Sequence, residues 1–199
     1  ILPIGTWVLE TACAQLKEWE KSAATRELKL AVNVSARQFR QADFVALTRS
    51  IVEQSGIDPR YLKLEMTESM VIDNVADTIE KMHQLKSMGL TFSMDDFGTG
   101  YSSLAYLKRL PLDQLKIDQS FVRDISHDPN DAAIVQTIIT MGNTLGMNVI
   151  AEGVETQEQL NFLRLHGCAT YQGYLFSRPV PLAEFEALLE RQAALNLAP

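Results

Sequence analysis

The sequence has few of the features that mark secreted or membrane proteins. Its 199 residues include only two cysteines, Cys13 and Cys168, and neither has a second cysteine or a histidine nearby at metal-ligand spacing. We expect reduced thiols in a cytoplasmic protein, with a disulfide as the alternative. No apolar run approaches the ~18–20 residues of a membrane span, and no signal peptide is recognisable, so we expect no direct membrane contact from this segment.

Positive charge is also scarce. The 18 Lys and Arg residues face 25 Asp and Glu residues, which gives a formal net charge of −7. This balance argues against broad electrostatic binding to a nucleic acid polymer or to an anionic membrane. It is compatible with a small anionic ligand, because a metal or a local lysine can reverse the sign of one cleft. With 46% hydrophobic residues, the chain can bury a core, and one domain over 1–199 is expected.

Predicted strands and amphipathic helices alternate along the chain. The strands are 28–35, 61–68, 90–96, 113–118, 148–154 and 171–176. The helices are 4–22, 39–55, 76–88, 132–145, 157–166 and 182–195. Alternation with short connections predicts an α/β fold with a parallel sheet, either open and doubly wound or closed as an eight-unit barrel.

The alternation of side chains within the strands favours the barrel. One parity is apolar, as in Leu62 and Leu64, whereas the other parity is polar in most strands. A strand between two helix layers would be apolar on both faces, so a polar parity favours a barrel interior. Because an eight-unit barrel needs about 250 residues and this sequence opens on a helix, we expect about two N-terminal strands to be missing from it.

In five predicted strands, the last residue of the inward-facing parity is polar. These residues are Asn33, Glu65, Asp95, Lys116 and Glu152, with Asp96 beside Asp95 and Gln172 on the sixth strand. Carboxyl ends of barrel strands are where active sites form. Converging carboxylates need compensation, and oxygen ligands suit Mg²⁺ or Mn²⁺. Two adjacent carboxylates can serve two ions, an arrangement that recurs in phosphodiester hydrolysis.

Each of these residues also has a simpler interpretation. A lone Asp at a strand end is commonly a turn or cap residue, and Ser35 with Gln38 fits a capping box. Solvated or structurally paired charges are an alternative for Glu68, Glu155, Lys116 and Lys63. What favours a functional site is the conjunction, since five strands deliver a polar residue at the same end.

Six stretches match one family in its order. They are "NVSARQF" (33–39), "LEMTES" (64–69), "DDFGTGYSSL" (95–104), "LKIDQSFV" (115–122), "IAEGVET" (150–156) and "QGYLFSRP" (172–179). The chain resembles the EAL domains, bacterial phosphodiesterases that hydrolyse cyclic di-GMP. The resemblance implies a (β/α)8 TIM-type barrel of the EAL variant, with one antiparallel strand. The family's Glu-Ala-Leu segment, whose Glu is a metal ligand, is not found before the first helix, in agreement with the missing strands.

The resemblance also implies roles for individual residues, with two Mg²⁺ or Mn²⁺ ions as cofactors. Asn33, Glu65 and Asp95 would bind one ion, and Asp95 with Asp96 would bind the second. Lys116 would hold the attacking water, and Glu152 would be a general base or a second-ion ligand. The remaining implied roles are nucleotide contact for Gln38 and Gln172 and loop anchoring for Glu68 and Glu155.

The reaction implied is in-line attack of water on one phosphodiester of cyclic di-GMP, which gives linear pGpG. A homodimer and upstream regulatory domains are also implied. The alternative is an EAL-like receptor that binds cyclic di-GMP without cleaving it. An enolase-like lyase shares the acid-plus-lysine chemistry but not the motifs. Degenerate family members usually lose ligands, and every ligand within this sequence is present, which favours the enzyme.

Overall fold

The computed structural model describes residues 1–72, 74–100 and 104–196. Its sheet has six parallel strands in sequential order. They are β1 (Leu30–Asn33), β2 (Leu62–Thr67), β3 (Thr91–Phe97), β4 (Gln114–Ile117), β5 (Asn148–Ala151) and β6 (Thr170–Tyr171). The strands form a curled half-barrel with helices, which resembles a TIM barrel.

Helices connect the strands and cover the sheet. The helices are α1 (Leu2–Trp19), α2 (Ala36–Phe39), α3 (Phe44–Ser55), α4 (Glu68–Ile72), α5 (Val75–Lys86), α6 (Leu104–Leu107), α7 (Gln119–Asp124), α8 (Pro129–Thr144), α9 (Gln157–Leu165) and α10 (Leu182–Asn196). A 3₁₀ turn, Pro59–Tyr61, precedes β2. Within the described residues, no helix is both long enough and apolar enough to cross a membrane.

Local capping explains several helix starts. Ser35 and Gln38 form a capping box at α2, and Thr156 and Gln159 form another at α9. The side chain of Asp128 caps α8, just before a proline at the first helical position. These caps satisfy backbone N–H groups that have no partner inside their helix, and the first confirms the capping box that the sequence indicates at Ser35 and Gln38.

The two parities of the strands have different surroundings, as predicted. The apolar parity is fully buried, with exposures of 1% or less at Leu62, Leu64, Phe92, Met94, Leu115 and Ile117. Side chains of the other parity contact one another across strands. Lys63 Nζ lies 2.6 Å from Gln114 Oε1, for example. The inner face is therefore polar and the helix-covered face apolar, which confirms the reasoning from side-chain alternation.

The predicted sixth strand, 171–176, was wrong beyond its first residue. A Cβ on Gly173 would lie 2.1 Å from the carbonyl oxygen of Val154, so the two backbones are in close contact. The N–H groups of Leu175 and Phe176 then donate to the carbonyls of Val154 and Gly173. These bonds turn the chain, whereas continued pairing with β5 would extend it.

Other element boundaries also differ from the predictions. The helix predicted from Phe39 begins at Phe44, because α2 ends at Phe39 and the intervening residues form a turn. The strands predicted over 28–35 and 148–154 are shorter in the structure. Asn33 is the last residue of β1 and Ala151 is the last residue of β5, and loops follow both. The short helices α4, α6 and α7 were not predicted, because four to six residues are too few for a periodic signal.

Within the described residues, β1 pairs only with β2, and β6 pairs only with β5. The sheet is therefore six strands wide with two edges. Closure by about two further strands stays a prediction, as does the antiparallel strand that the resemblance implies.

Lys81 of α5 ties this helix to the chain that follows β1, and we predict that its loss destabilises the fold. The residue is 8% exposed, and its ammonium donates to the carbonyls of Phe39 (2.9 Å) and Gln41 (3.2 Å) and pairs with Asp77. Lys81→Met leaves those carbonyls without this donor and should lower the free energy of unfolding by about 2–3 kcal/mol in urea denaturation.

Asp77→Asn serves as the control, because it removes the partly exposed ion pair and keeps both carbonyl contacts. It should lower the free energy of unfolding by less than about 1 kcal/mol. Equal losses in the two variants would contradict the assignment to the buried carbonyls.

Candidate active site

Lys116 of β4 lies at the centre of a buried charge cluster at the carboxyl end of the sheet. Its ammonium is 2.7 Å from Glu152 Oε1, 2.8 Å from Asp95 Oδ1 and 3.0 Å from Glu65 Oε2. A lysine ammonium has three donors, so one is available for each carboxylate. The Lys116 side chain is 7% exposed, so water screens these contacts poorly.

Strand register explains why these side chains meet. Glu65 belongs to β2, Asp95 to β3 and Lys116 to β4, and Glu152 follows β5 directly. The N–H of Glu152 still donates to Ile117 at the end of β4, so the sheet's hydrogen bonding positions it. In a parallel sheet the carboxyl ends of neighbouring strands lie along one edge, and the polar parity directs these residues to the same face.

The adjacent carboxylates Asp95 and Asp96 lie together with Glu152. Carboxylate oxygens of these three residues lie within 4.8 Å of one another. Asp96 has a left-handed backbone, with φ of 53°, which is uncommon for a residue with a side chain but tolerated by Asp. The N–H and hydroxyl of Thr99 donate to the carbonyl of Asp96 and hold this turn.

The cluster carries excess negative charge. Three carboxylates contact the Lys116 ammonium, and the exposed Asp96 adds a fourth beside Asp95 and Glu152, so three formal negative charges are unbalanced. Burial raises the pKa of Glu152, and the charges of Asp95 and Glu65 raise it further against the opposing effect of Lys116. Burial and the charge of Asp95 likewise raise the pKa of Asp96.

The lysine is held in its charged form. Burial alone would lower the pKa of Lys116, but hydrogen bonds to Asp95 and Glu152 outweigh burial and hold the pKa above its usual value. The ammonium therefore offsets part of the carboxylate charge, and the remainder calls for a cation.

The donor set fits a divalent cation of the Mg²⁺ or Mn²⁺ type. Within the part of the chain that the structure describes, one group of acidic, cysteine or histidine side chains has metal-binding spacing, and it is Asp95, Asp96 and Glu152. All its ligand atoms are carboxylate oxygens, which hard cations prefer and which give zinc no thiolate or imidazole.

Asn33 and Glu68 adjoin the cluster in different ways. Asn33 is the register partner of Glu65 on the neighbouring strand. Glu68 is 3% exposed, and its Oε2 accepts from the N–H groups of Gly98 (3.3 Å) and Gly100 (3.2 Å). Glu68 therefore contacts the loop that follows β3, while residues 101–103 of the predicted motif lie outside the described residues.

Gln38 and Glu155 have structural contacts as well as predicted roles. Gln38 Oε1 accepts from the N–H and the hydroxyl of Ser35, which confirms the capping-box interpretation. A Cβ on Gly5 would lie 1.7 Å from Gln38 Nε2, so this side chain packs against α1. Glu155 is exposed, and its N–H donates to Gln159. Nucleotide contact by Gln38 and loop anchoring by Glu155 stay predictions.

A cavity of about 580 Å³ opens beside the cluster. Glu152 and Glu155 line it from the end of β5, and Gln172, Tyr174 and Arg178 line it from the chain after β6. The guanidinium of Arg178 lies 4.3 Å from the centre of the Tyr174 ring. A pocket of this size that joins charged groups to an aromatic ring is typical of a small-molecule site.

The sequence analysis did not identify Asp118 as a residue that lies close to this site. Its carboxylate caps α7 through the N–H of Ser120, and its charge is one of the causes that raise the pKa of Asp96. Asp118 is therefore close to the acidic group. Its position two residues after Lys116, on the same parity, was the signal for this placement.

Comparison with known proteins agrees with this geometry. The family model of the EAL domain matches residues 1–179. The cyclic di-GMP phosphodiesterase NbdA of Pseudomonas aeruginosa is 48% identical over 186 residues, which cover 94% of this chain and 24% of that protein. The chain spans about a quarter of the length of the curated relatives that head the comparison.

Solved structures match at the level of the fold and the sequence. The phosphodiesterase PaMucR, in complex with c-di-GMP, superposes with a TM-score of 0.87 at 44% identity, over 92% of this chain and 74% of that one. The Klebsiella pneumoniae protein BlrP1, in a manganese and cyclic di-GMP complex, gives a TM-score of 0.79 at 31% identity, over 89% and 45%. With its polar half-barrel, its acidic strand ends and these matches, the chain belongs to the EAL domain family.

Proposed function

We propose that this chain hydrolyses cyclic di-GMP to linear pGpG, with divalent cations as cofactors. The observation that carries the proposal is the Lys116 ammonium, paired with Glu65, Asp95 and Glu152, the last two of which lie together with Asp96. Such a cluster attracts cations and can act on a phosphodiester. The names of NbdA and of the PaMucR complex support cyclic di-GMP as the substrate.

The cavity beside the cluster provides room for a nucleotide. Gln172 contributes an amide that can hydrogen-bond a base or a phosphate, and Tyr174 contributes a ring on which a base can stack. Glu152 lines the same cavity, so a phosphodiester bound there would lie near the charge cluster.

The acidic residues would hold the cations. We assign Asp95 and Asp96 to this role from their mutual spacing with Glu152, which would be either a further ligand or the general base. Glu65 and Asn33 are assigned from their adjoining positions on β2 and β1. Divalent cations, when bound, polarise the phosphate and lower the pKa of a water that attacks it. The identity of the cation, Mg²⁺ or Mn²⁺, is part of the proposal.

Glu152 and Lys116 have complementary roles. Glu152 lines the cavity and lies 2.7 Å from Lys116, a position that suits a carboxylate that accepts a proton from the attacking water. Lys116 keeps its positive charge and can stabilise the negative charge that develops on the phosphate oxygens. Attack on one of the two phosphodiesters breaks one P–O bond of the ring, which leaves the linear dinucleotide.

The proposal extends to the protein that contains these residues. Because the chain spans about a quarter of its curated relatives, we propose that further domains regulate it. Assembly as a homodimer and a cytoplasmic location are further expectations.

Direct assay tests the reaction. The purified protein is incubated with cyclic di-GMP and either Mg²⁺ or Mn²⁺, and the products are separated by chromatography. We expect conversion to pGpG that stops when a chelator removes the cation. Binding of cyclic di-GMP without pGpG would overturn the enzyme proposal in favour of a receptor, and absence of binding would overturn both.

Glu152→Gln should lower the turnover rate by at least about 100-fold, because the amide cannot accept the proton. Affinity for cyclic di-GMP should change by less than about tenfold, since Lys116 keeps its contacts with Glu65 and Asp95. Rates of pGpG formation and equilibrium binding check these two effects. Glu158→Gln, on the exposed start of α9, is the charge-matched control and should keep full activity. Full activity of Glu152→Gln would refute the role of this carboxylate.

Asp96→Asn should raise the Mn²⁺ concentration that gives half-maximal activity by at least about tenfold. Loss of a residue that only supports a metal ligand already weakens metal binding by about tenfold or more, and loss of a ligand itself should weaken it at least as much. Asn tolerates the left-handed backbone that Asp96 adopts, so the turn should be kept. Metal titrations of activity measure the effect, with the exposed Asp124→Asn as the control. An unchanged titration curve would exclude Asp96 as a ligand.

A further inference from the structure

A second polar layer lies directly beneath the charge cluster. Each of its members precedes a cluster residue by two positions on the same strand: Lys63 precedes Glu65, Ser93 precedes Asp95, and Gln114 precedes Lys116. Residues two apart on a strand lie on the same face, about 6.6 Å apart along it. The second layer therefore shares the interior of the half-barrel with the cluster.

The members of this layer contact one another. Gln114 Oε1 accepts from Lys63 Nζ at 2.6 Å and from the Ser93 hydroxyl at 3.3 Å. Ser93 and Gln114 are buried, and the Lys63 side chain is partly buried. The amide of Gln114 thus holds the Lys63 ammonium inside the half-barrel, beneath the carboxylates.

We propose that Lys63 is a fixed internal counter-ion that weakens cation binding at the carboxylate cluster. The proposal rests on the cation site of the proposed function. Lys116 leaves three unbalanced negative charges in the cluster, and Lys63 reduces this excess to two. Gln114 holds Lys63 in place, and Lys63 acts on the cluster through its charge, so it is a positioning residue and not a ligand.

The position of the Lys63 ammonium inside the half-barrel lets its charge act on a cation several ångströms away. Charges interact more strongly across a protein interior than across water, and dissolved ions do not screen them there. At a separation of roughly 10 Å and an effective dielectric constant of a few tens, one unit charge alters the affinity for a divalent cation by about tenfold.

The counter-ion has a consequence for the order of binding. A phosphodiester brings negative charge into the cavity, and this charge offsets the repulsion between Lys63 and an incoming cation. Cation and nucleotide should therefore strengthen each other's binding through their own opposite charges, while Lys63 lowers the affinity for the cation alone.

The direction in which cation affinity changes when Lys63 is replaced distinguishes a counter-ion role from a purely structural role. Loss of a supporting contact loosens a metal site and weakens binding. Loss of the partly buried positive charge of Lys63 would instead strengthen cation binding. Lys63→Met removes the charge but keeps most of the side-chain volume, whereas Lys63→Arg keeps the charge. Lys29→Met is the matched control, because Lys29 is exposed and lies just before β1.

The test measures Mn²⁺ binding to the purified, nucleotide-free protein by isothermal calorimetry and by electron paramagnetic resonance of the free ion. We expect Lys63→Met to bind Mn²⁺ about tenfold more tightly than the unchanged protein. Lys63→Arg should bind within about twofold, and so should Lys29→Met. Circular dichroism checks folding, and Lys63→Gln, which can still donate to Gln114, replaces the Met variant if that variant does not fold.

The outcomes are distinct. Equal or weaker Mn²⁺ binding by the neutral Lys63 variants, relative to Lys29→Met, would overturn the counter-ion role. Binding as tight in Lys63→Arg as in the neutral variants would also overturn it, because charge would then not be the cause. Absence of Mn²⁺ binding in the unchanged protein would instead overturn the cation site of the proposed function.

Discussion

The contact of one buried ammonium with three carboxylates constrains the rest of this structure. Taking charges out of water is unfavourable, and the Lys116 cluster is tolerable only if its hydrogen bonds form together. Glu65, Asp95 and Glu152 must therefore arrive from their own strand ends at one point. A slip of one residue in any strand would move its charged side chain to the helix-covered face and bring an apolar side chain inside. The same alternation that builds the core thus fixes the site.

The adjacency of Asp95 and Asp96 requires a departure from regular strand geometry. In a regular strand, successive side chains point to opposite faces, so two neighbours would not reach one site. The register between β3 and β4 shifts between Met94 and Phe97, and Asp96 takes a left-handed backbone. This local irregularity lets both carboxylates approach Glu152. Such irregularities carry an energetic penalty and commonly persist where surrounding contacts maintain a functional site.

Much of this site followed from the sequence, because strand parity is a local property. The polar ends of β2 to β5 were predicted from alternation alone, and the structure brings Glu65, Asp95, Lys116 and Glu152 together. The end of β6 was not predictable in this way, since it depends on close contact between Gly173 and the distant Val154. The parity of Asp118 with Lys116 placed it on the inner face, but its closeness to Asp96 is a contact between neighbouring strands that alternation within one strand does not give.

The two layers of interior side chains in the half-barrel carry opposite charge. The upper layer collects acidic groups near the cavity, where ligands have access. The lower layer contains the positive charge of Lys63, the amide of Gln114 and the hydroxyl of Ser93. The Gln114 amide accepts hydrogen bonds from the other two groups. Because hard cations need several oxygen ligands, an acidic layer alone would bind them whether or not a phosphate is present. The partly buried positive charge of Lys63 beneath that layer makes an additional negative ligand more favourable. Under the proposed function, this division of charge would favour binding of a cation together with an anionic substrate.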